Sequence, residues 1–298
     1  DINPGSQSNN NFYNHNAVII DSTVMFTAWD GDPNAAGYAL WAHDDESQMT
    51  WKVHGTLAVV EMLPVLNKTL YFSASLTSGT QLWAYDVSNN SVWFIKYFGS
   101  GSAGNWLAQS MAILVDDTIY FDADDGTSGS ELWAHNTSNG STWLVHDINS
   151  GQNDSEPGGV VEIVDKTIYF AAGNGTSSFP YHQTLWAHNT ENHSTWELSP
   201  RILLCWPCGE MIEVYGSTIY LNAWSYDNGS ELWAYETLNQ SGWQMFDLSQ
   251  LTHNGWPGSH FSRLDGNMLY FSGHDGTNQF GKLWGIELSG VSHRIYYN

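Results

Sequence analysis

The dipeptide Leu-Trp occurs six times in this 298-residue chain, ending at Trp41, Trp83, Trp133, Trp186, Trp233 and Trp284, at spacings of 42 to 53 residues. Repetition at that period constrains the fold more than any other feature, because each unit has to bury its apolar surface against the next one. Ten residues after the first five stand Trp51, Trp93, Trp143, Trp196 and Trp243; in the sixth copy that place is Arg294. Upstream of each Leu-Trp lies a second signature: "TVMF" (23–26), "TLYF" (69–72), "TIYF" (118–121 and again 167–170), "TIYL" (218–221) and "NMLY" (267–270). Short polar turns such as "DDT", "DKT" and "DGN" introduce it, as expected between two strands of a hairpin.

Each repeat therefore reads as four short strands, here called a to d. In the third copy they are "SMAILV", "TIYFDA", "ELWAH" and "STWLVHDI". Four strands in about 50 residues is the signature of a β-propeller blade. Six copies predict an all-β chain, a six-bladed β-propeller with four antiparallel strands per repeat. A β-solenoid is the alternative, although its repeats are usually shorter. One domain over 1–298 is expected, with repeats at 1–54, 55–101, 102–151, 152–201, 202–254 and 255–298. "DINPG" at the start matches "DINSG" at 147–151, so the termini are expected to meet, and the same phase would suit one bead of a longer tandem chain. The absence of an initiator Met before Asp1 points to a processed product.

The run "DADDGTSGSELWAHNTSNGSTWLVHDINSG" (122–151) resembles the "DGT…G-ELW…GT…LVKDI-PG" repeats of bacterial and archaeal surface proteins, the ELW-type repeats. As a repeat pattern the resemblance covers nearly the whole chain and is sharpest in the third copy. Where that pattern often has "DGT" after ELW, this chain has "HNTSNGST". The resemblance implies an extracellular, propeller-like module and assigns no catalytic residue. "NTSNGSTW" (136–143) also resembles a degenerate Asp-box, the "S-x-D-x-G-x-T-W" turn of sialidase propellers, which is a structural turn. A sialidase needs clustered arginines for its substrate carboxylate, and Arg201, Arg263 and Arg294 are spread over the last two repeats and their linker.

Charge excludes one class of partner. With 31 acids against 8 bases and a formal charge of −23, the chain has no basic footprint for nucleic acid. No apolar run is long enough to span a bilayer. Nine Asn-x-Ser/Thr acceptors, Asn67, Asn89, Asn136, Asn139, Asn153, Asn174, Asn192, Asn228 and Asn239, favour a secreted glycoprotein of the cell surface or matrix. Six of them fall in a–b or c–d turns, so glycans would cloak one end of the blades and leave the other for function. That other end carries acidic b–c loops and five further tryptophans, Trp29, Trp106, Trp206, Trp224 and Trp256, read either as linker packing or as a platform for sugar rings. The eleven signature tryptophans are read as buried wedges between blades.

Other candidates are weighed in the same way. Asp122, Asp124, Asp125 and Glu131 surround a Gly-rich turn and suggest calcium or solvated acidic loops, with a spacing unlike an EF-hand. No cofactor is required by this reading. Cys205 and Cys208 in "CWPC" are the only cysteines and suggest a small-loop disulfide, or a free or intermolecular pair. His43, His135 and His188 share a repeat position with Tyr85 and Tyr235, which argues for packing rather than metal ligation. The expectation is a non-enzymatic extracellular module with a structural, assembly or adhesion role, self-associating into a filament or layer. Two alternatives stand beside it: a lectin-like carbohydrate-binding propeller that uses the Trp-rich face, and a glycoside hydrolase or lyase with its site in the channel mouth.

Overall fold

Alternation in the Thr-Ile-Tyr-Phe signature decides how the sheets stack. In the computed structural model the described residues are 17–29, 38–55, 57–76, 79–99, 107–175, 182–198, 202–205, 211–225, 227–249, 254–259, 261–276, 281–288 and 295–297. They form strands joined by turns and loops, and among them no helix is long and apolar enough to cross a membrane.

The first repeat contributes β1 (Val18–Ile20), β2 (Thr23–Ala28), β3 (Ala39–Asp44) and β4 (Met49–Lys52). The second gives β5 (Ala58–Leu66), β6 (Thr69–Leu76), β7 (Gly79–Asp86) and β8 (Ser91–Phe98). In the third stand β9 (Leu107–Val115), β10 (Thr118–Asp124), β11 (Ser130–Asn136) and β12 (Thr142–His146). The fourth holds β13 (Gly158–Val164), β14 (Thr167–Ala172), β15 (His182–Asn189) and β16 (Thr195–Glu197), followed by β17 (Leu203–Cys205). The fifth comprises β18 (Met211–Tyr215), β19 (Thr218–Ser225), β20 (Gly229–Glu236) and β21 (Ser241–Phe246). The last has β22 (Ser262–Asp265), β23 (Met268–Gly273), β24 (Lys282–Glu287) and β25 (Ile295–Tyr297). Within each repeat the order is a-b-c-d and all pairing is antiparallel.

Two compact units divide the chain, 1–154 and 155–298. In the first, Leu70, Phe72 and Ala74 of β6 join a buried cluster with Met25, Leu40 and Ala42 of the first repeat. Tyr71, on the opposite face of the same strand, joins Ile119, Phe121 and Trp133 of the third. The second unit repeats the arrangement. Ile219, Leu221 and Ala223 of β19 face Leu185 and Ala187, while Tyr220 packs with Leu269, Phe271 and Ile286. A strand with alternate residues on alternate faces thus serves two neighbours at once. This explains why the inner strands read as buried on both faces, as β14 does throughout.

The His-or-Tyr position completes that contact. Tyr71 meets His135 at 5.6 Å between ring centres, and Tyr169 meets Tyr235 at 6.1 Å. His43, His135 and His188 each lie with Nδ1 2.8 Å from a threonine hydroxyl on strand d, those of Thr50, Thr142 and Thr195. Burial holds the His135 imidazole down at about 4. Five repeats place a ring with a polar tip here, His or Tyr, and the sixth has the buried Ile286 instead.

Two expectations are corrected. Among the described residues the sheets are five rather than six separate ones, because the fourth and fifth repeats form a nine-stranded sheet. The three-residue β16 pairs only with Trp186–His188 of β15, leaving His182–Thr184 to be paired by β17 from the following linker. Leucines 203 and 204 extend across that free edge, where unpaired backbone groups would otherwise be exposed, and Leu203 reaches Trp224 of β19. Nor are all eleven signature tryptophans buried wedges. Trp133, Trp186 and Trp284 on strand c are buried, but Trp93 and Trp243 on strand d are each 40% exposed. Strand d is a sheet edge, and its residues find cover on one side only.

Phe121 tests the inter-sheet packing. Its ring is fully buried and meets Phe98 edge-on at 5.8 Å. Phe121→Ala is expected to destabilise the first unit by about 3–5 kcal/mol, measured by denaturant unfolding; a cost under about 1 kcal/mol would contradict the packing described.

Candidate functional site

At one end of the sheets the b–c loops meet the linkers that leave strand d, and a buried glutamate ties them together. Glu131 at the start of β11 is fully buried, and its carboxylate accepts hydrogen bonds from the backbone N–H of Ile148 (2.8 Å) and Asn149 (3.2 Å). Next to it, Ser130 N–H donates to Asp154 Oδ1 at 2.7 Å. Gly129 has φ +74°, and a Cβ there would stand 2.2 Å from the Asn153 carbonyl oxygen, so only glycine fits.

The fifth repeat is built alike. Glu231 is fully buried and accepts from Leu248 N–H (2.7 Å) and Gly255 N–H (3.2 Å), while Ser230 N–H donates to Asn254 Oδ1 at 3.0 Å. In the second and fourth repeats the equivalent residues, Gln81 and Thr184, instead accept from the indole N–H of Trp83 (2.9 Å) and Trp186 (3.1 Å). The Glu of Glu-Leu-Trp is therefore a linker anchor. Its signal in the sequence was the coincidence of that Glu with an "HDIN" or "FDLS" segment after strand d.

The four acidic residues read as a calcium candidate are not brought together. Glu131 pairs across the sheet with Ala123, whereas Asp122 and Asp124 pair with Leu132 and Ser130. Directly opposed residues share a face, so Glu131 lies on the other face from the two aspartates. Asp122 is buried and accepts from Ser110 N–H (3.1 Å) and Met111 N–H (2.8 Å) at an irregularity of strand a. Asp124 accepts from Gly126 N–H at 2.7 Å. Asp125 takes the Thr127 N–H and hydroxyl (2.8 and 2.7 Å) and the Ser128 N–H (2.9 Å). Partial burial of Asp125 is outweighed by these bonds, which hold its carboxyl below the usual range. Among the described residues no three His, Cys, Asp or Glu side chains are grouped to hold a metal ion.

Of the five extra tryptophans, three lie among the described residues. Trp106, Trp206 and Cys208 lie outside the described residues, as does the Cys205 side chain. Trp29 is half-buried just after β2, and Trp224 is half-buried where β17 joins β19. Trp256 differs from these. It is 41% exposed and has φ +41°, a conformation unusual for a bulky side chain. Its N–H donates to Ser230 O at 3.1 Å, and its indole meets His274 edge-on at 5.5 Å. His274 N–H in turn donates to Gly255 O at 2.6 Å. Beside them Asp275 pairs with Lys282. Glu231, Trp256, His274 and this ion pair form a polar, aromatic patch at the linker end of the second unit, which presents an exposed indole on an anchored backbone. His274, Asp275 and Lys282 were not singled out from the sequence, where nothing marks them as neighbours of Trp256.

Burial pushes the Glu231 carboxyl from its ordinary 4.5 up to about 7, reinforced by Asp247 and opposed by the amides of Leu248, Gly255 and Ser249. The folded-state value is the higher one, so folding favours the protonated acid. That contribution, on the order of 3 kcal/mol, is complete below about pH 4.5 and is lost as pH rises through about 7. Glu231→Gln, which cannot ionise, is expected to unfold at a temperature that gains on wild type as pH rises across this window. Parallel pH profiles of the two proteins in thermal unfolding would refute the assignment.

No protein-family profile and no curated protein sequence matches the chain. Solved structures do. A dipeptidyl peptidase 4 of Porphyromonas gingivalis matches with a TM-score of 0.58 at 9% identity, over 91% of this chain and 43% of that one. A prolyl endopeptidase, one of two described for the role of inter-domain dynamics in catalysis and specificity, matches with a TM-score of 0.53 at 11% identity, over 90% and 39%. A puromycin hydrolase matches at 0.51 and 12% identity, over 91% and 42%. The chain thus spans about four-tenths of the length of these three proteins. At such identities the likeness is one of fold, to β-propeller-like structures. It corrects the expectation of a non-enzymatic structural, assembly or adhesion module, because the architecture shared here is in these neighbours part of an enzyme.

Proposed function

We propose that the six repeats close into one six-bladed β-propeller and that this propeller serves an enzyme, as the domain that admits peptide substrates to a hydrolytic partner domain. One observation carries the reading: at least 90% of this chain superposes on 39–43% of three hydrolases and peptidases. Fold alone does not define chemistry, and the polar linker-end patch supports the assignment. A net charge of −23 draws cationic peptides toward the surface, and Trp256 offers them an exposed aromatic contact. The sequons support an extracellular setting for that activity.

Binding of the 1–298 chain to matched basic and acidic proline-containing peptides, followed by calorimetry, tests the proposal. Basic peptides are expected to bind on the order of tenfold more tightly at low salt, with the advantage shrinking as salt screens the field. Trp256→Ala should weaken both peptides while leaving thermal unfolding unchanged. Absence of binding by either peptide, or hydrolysis of polysaccharides by the chain, would overturn the reading. Ring closure is tested separately by small-angle scattering, where a single compact body of this length gives a radius of gyration of about 19 Å.

A further inference from the structure

Five repeats build the turn between strands c and d in one way. Three residues after the Leu-Trp tryptophan stands a side chain that caps the turn: Asp44, Asp86, Asn136, Asn189 or Glu236. Seven residues after it stands a residue in the left-handed region: Gln48 (φ 57°), Asn90 (59°), Gly140 (73°), His193 (58°) and Gln240 (55°). Between them, six residues after the tryptophan, four consecutive repeats carry the asparagine of a sequon: Asn89, Asn139, Asn192 and Asn239. All four are exposed. Each directs its side-chain oxygen inward, where Oδ1 accepts the backbone N–H of the sequon serine: Ser91 (2.9 Å), Ser141 (2.9 Å), Ser194 (2.9 Å) and Ser241 (3.1 Å). In the last three the same oxygen also accepts the serine hydroxyl, at 2.6, 2.6 and 2.5 Å. With the oxygen so fixed, the amide nitrogen of Asn139, Asn192 and Asn239 is turned to the solvent side of the turn; that of Asn89, equally exposed, donates to Asp86 Oδ2 within the same turn at 3.0 Å.

Asn136 has the opposite disposition, although its sequon overlaps that of Asn139. It is half-buried, its Nδ2 donates to Thr118 Oγ1 at 3.2 Å, and its Oδ1 accepts from Ser138 and Asn139 N–H at 3.1 and 2.9 Å. Asn189 does the same work one repeat later, donating to Thr167 Oγ1 at 3.1 Å and accepting from Glu191 and Asn192 N–H. Yet Asn189 belongs to no sequon, since Glu191 stands two residues on. The capping role thus explains the asparagine at 136 without any sugar. Asn174 and Asn228 are likewise half-buried, with Nδ2 donating to Glu197 Oε2 (3.1 Å) and Gln244 Oε1 (3.0 Å).

We infer that the protein carries N-linked sugars at Asn89, Asn139, Asn192 and Asn239, one per repeat at an equivalent place, and none at Asn136, Asn174 or Asn228. The donor is a diphosphate-linked sugar with its transferase. The lone pair of Asn Nδ2 forms the bond to the anomeric carbon, the anomeric C–O bond breaks with its electrons leaving on the diphosphate, and one amide proton passes to a base of the transferase. At the four exposed positions the new substituent extends into solvent and leaves the Oδ1 bonds of the turn in place. At Asn136 it would stand between Nδ2 and the Thr118 hydroxyl, where strand b meets the turn.

Mass spectrometry of the protein from its native source, with fragmentation that keeps the sugar on its asparagine, tests the assignment. Sugar is expected at all four equivalent asparagines, and the segment holding both overlapping sequons should carry it on Asn139 alone. An unmodified asparagine at any of the four, or sugar on Asn136, Asn174 or Asn228, would overturn the inference. As an independent arm, Asn139→Gln should lower the mass of the secreted protein by one glycan, and Asn136→Gln should not.

Discussion

Burial of both faces of strand b is the constraint on which the rest of this structure depends. A four-stranded antiparallel sheet of short strands has too little surface of its own to hold a fold, so the apolar side chains of β6 or β19 gain their stability only between neighbouring sheets. Each buried aromatic of the signature removes about 150–250 Å² from water. Because the residues alternate, β6 and β19 send the residues flanking the tyrosine (Leu70 and Phe72, Ile219 and Leu221) to the preceding repeat and the tyrosine to the following one. The polar tip of that tyrosine and its His or Tyr neighbour then have to be satisfied inside the stack. A strand-d threonine 2.8 Å from each of the three histidines meets that requirement for the imidazoles, and the Tyr85 hydroxyl donates to Asn90 Oδ1 at 2.7 Å.

The same constraint explains the unusual charge. With 31 acids and 8 bases most carboxylates cannot find a cation, and many accept backbone N–H groups instead. Asp122 takes the amides of an irregular strand, Asp125 those of a loop, Glu131 and Glu231 those of the linkers. The acids thereby work as caps for backbone that the sheets leave unpaired. Their cost is desolvation, seen in the raised Glu231 carboxyl, and their benefit is that a linker with few apolar residues is fixed to the sheet it leaves.

How much of this was legible in the sequence follows from the range of each interaction. The four strands of the third repeat could be read to within a few residues, since period-two patterning and turn residues are local. The joining of the fourth and fifth repeats could not. It depends on β16 being too short to cover β15, a fact about pairing partners 7 to 23 residues apart rather than about any one segment. The separation of the acidic candidates was hidden for a related reason. Asp122, Asp124 and Glu131 are close in sequence, but the cross-strand register of β10 and β11 sends Glu131 to the other face of the sheet. The sequence likewise could not rank the extra tryptophans, because exposure of Trp256 and pairing of Trp224 are set by linkers.

Fold likeness at 9–12% identity with TM-scores of 0.51–0.58 is what such an architecture should produce. Few positions per repeat are dictated by packing, and the rest are free to drift while the strands stay in place. Function then has to be sought where the chain departs from packing logic. Trp256 is such a place: a bulky residue held at positive φ, at a cost of order 1–3 kcal/mol, and left 41% exposed, so that burial offsets only part of it. The anchoring of its backbone by Ser230 and of its neighbour Gly255 by Glu231 keeps it there. A fold that only needed to stack its sheets would have no use for that arrangement.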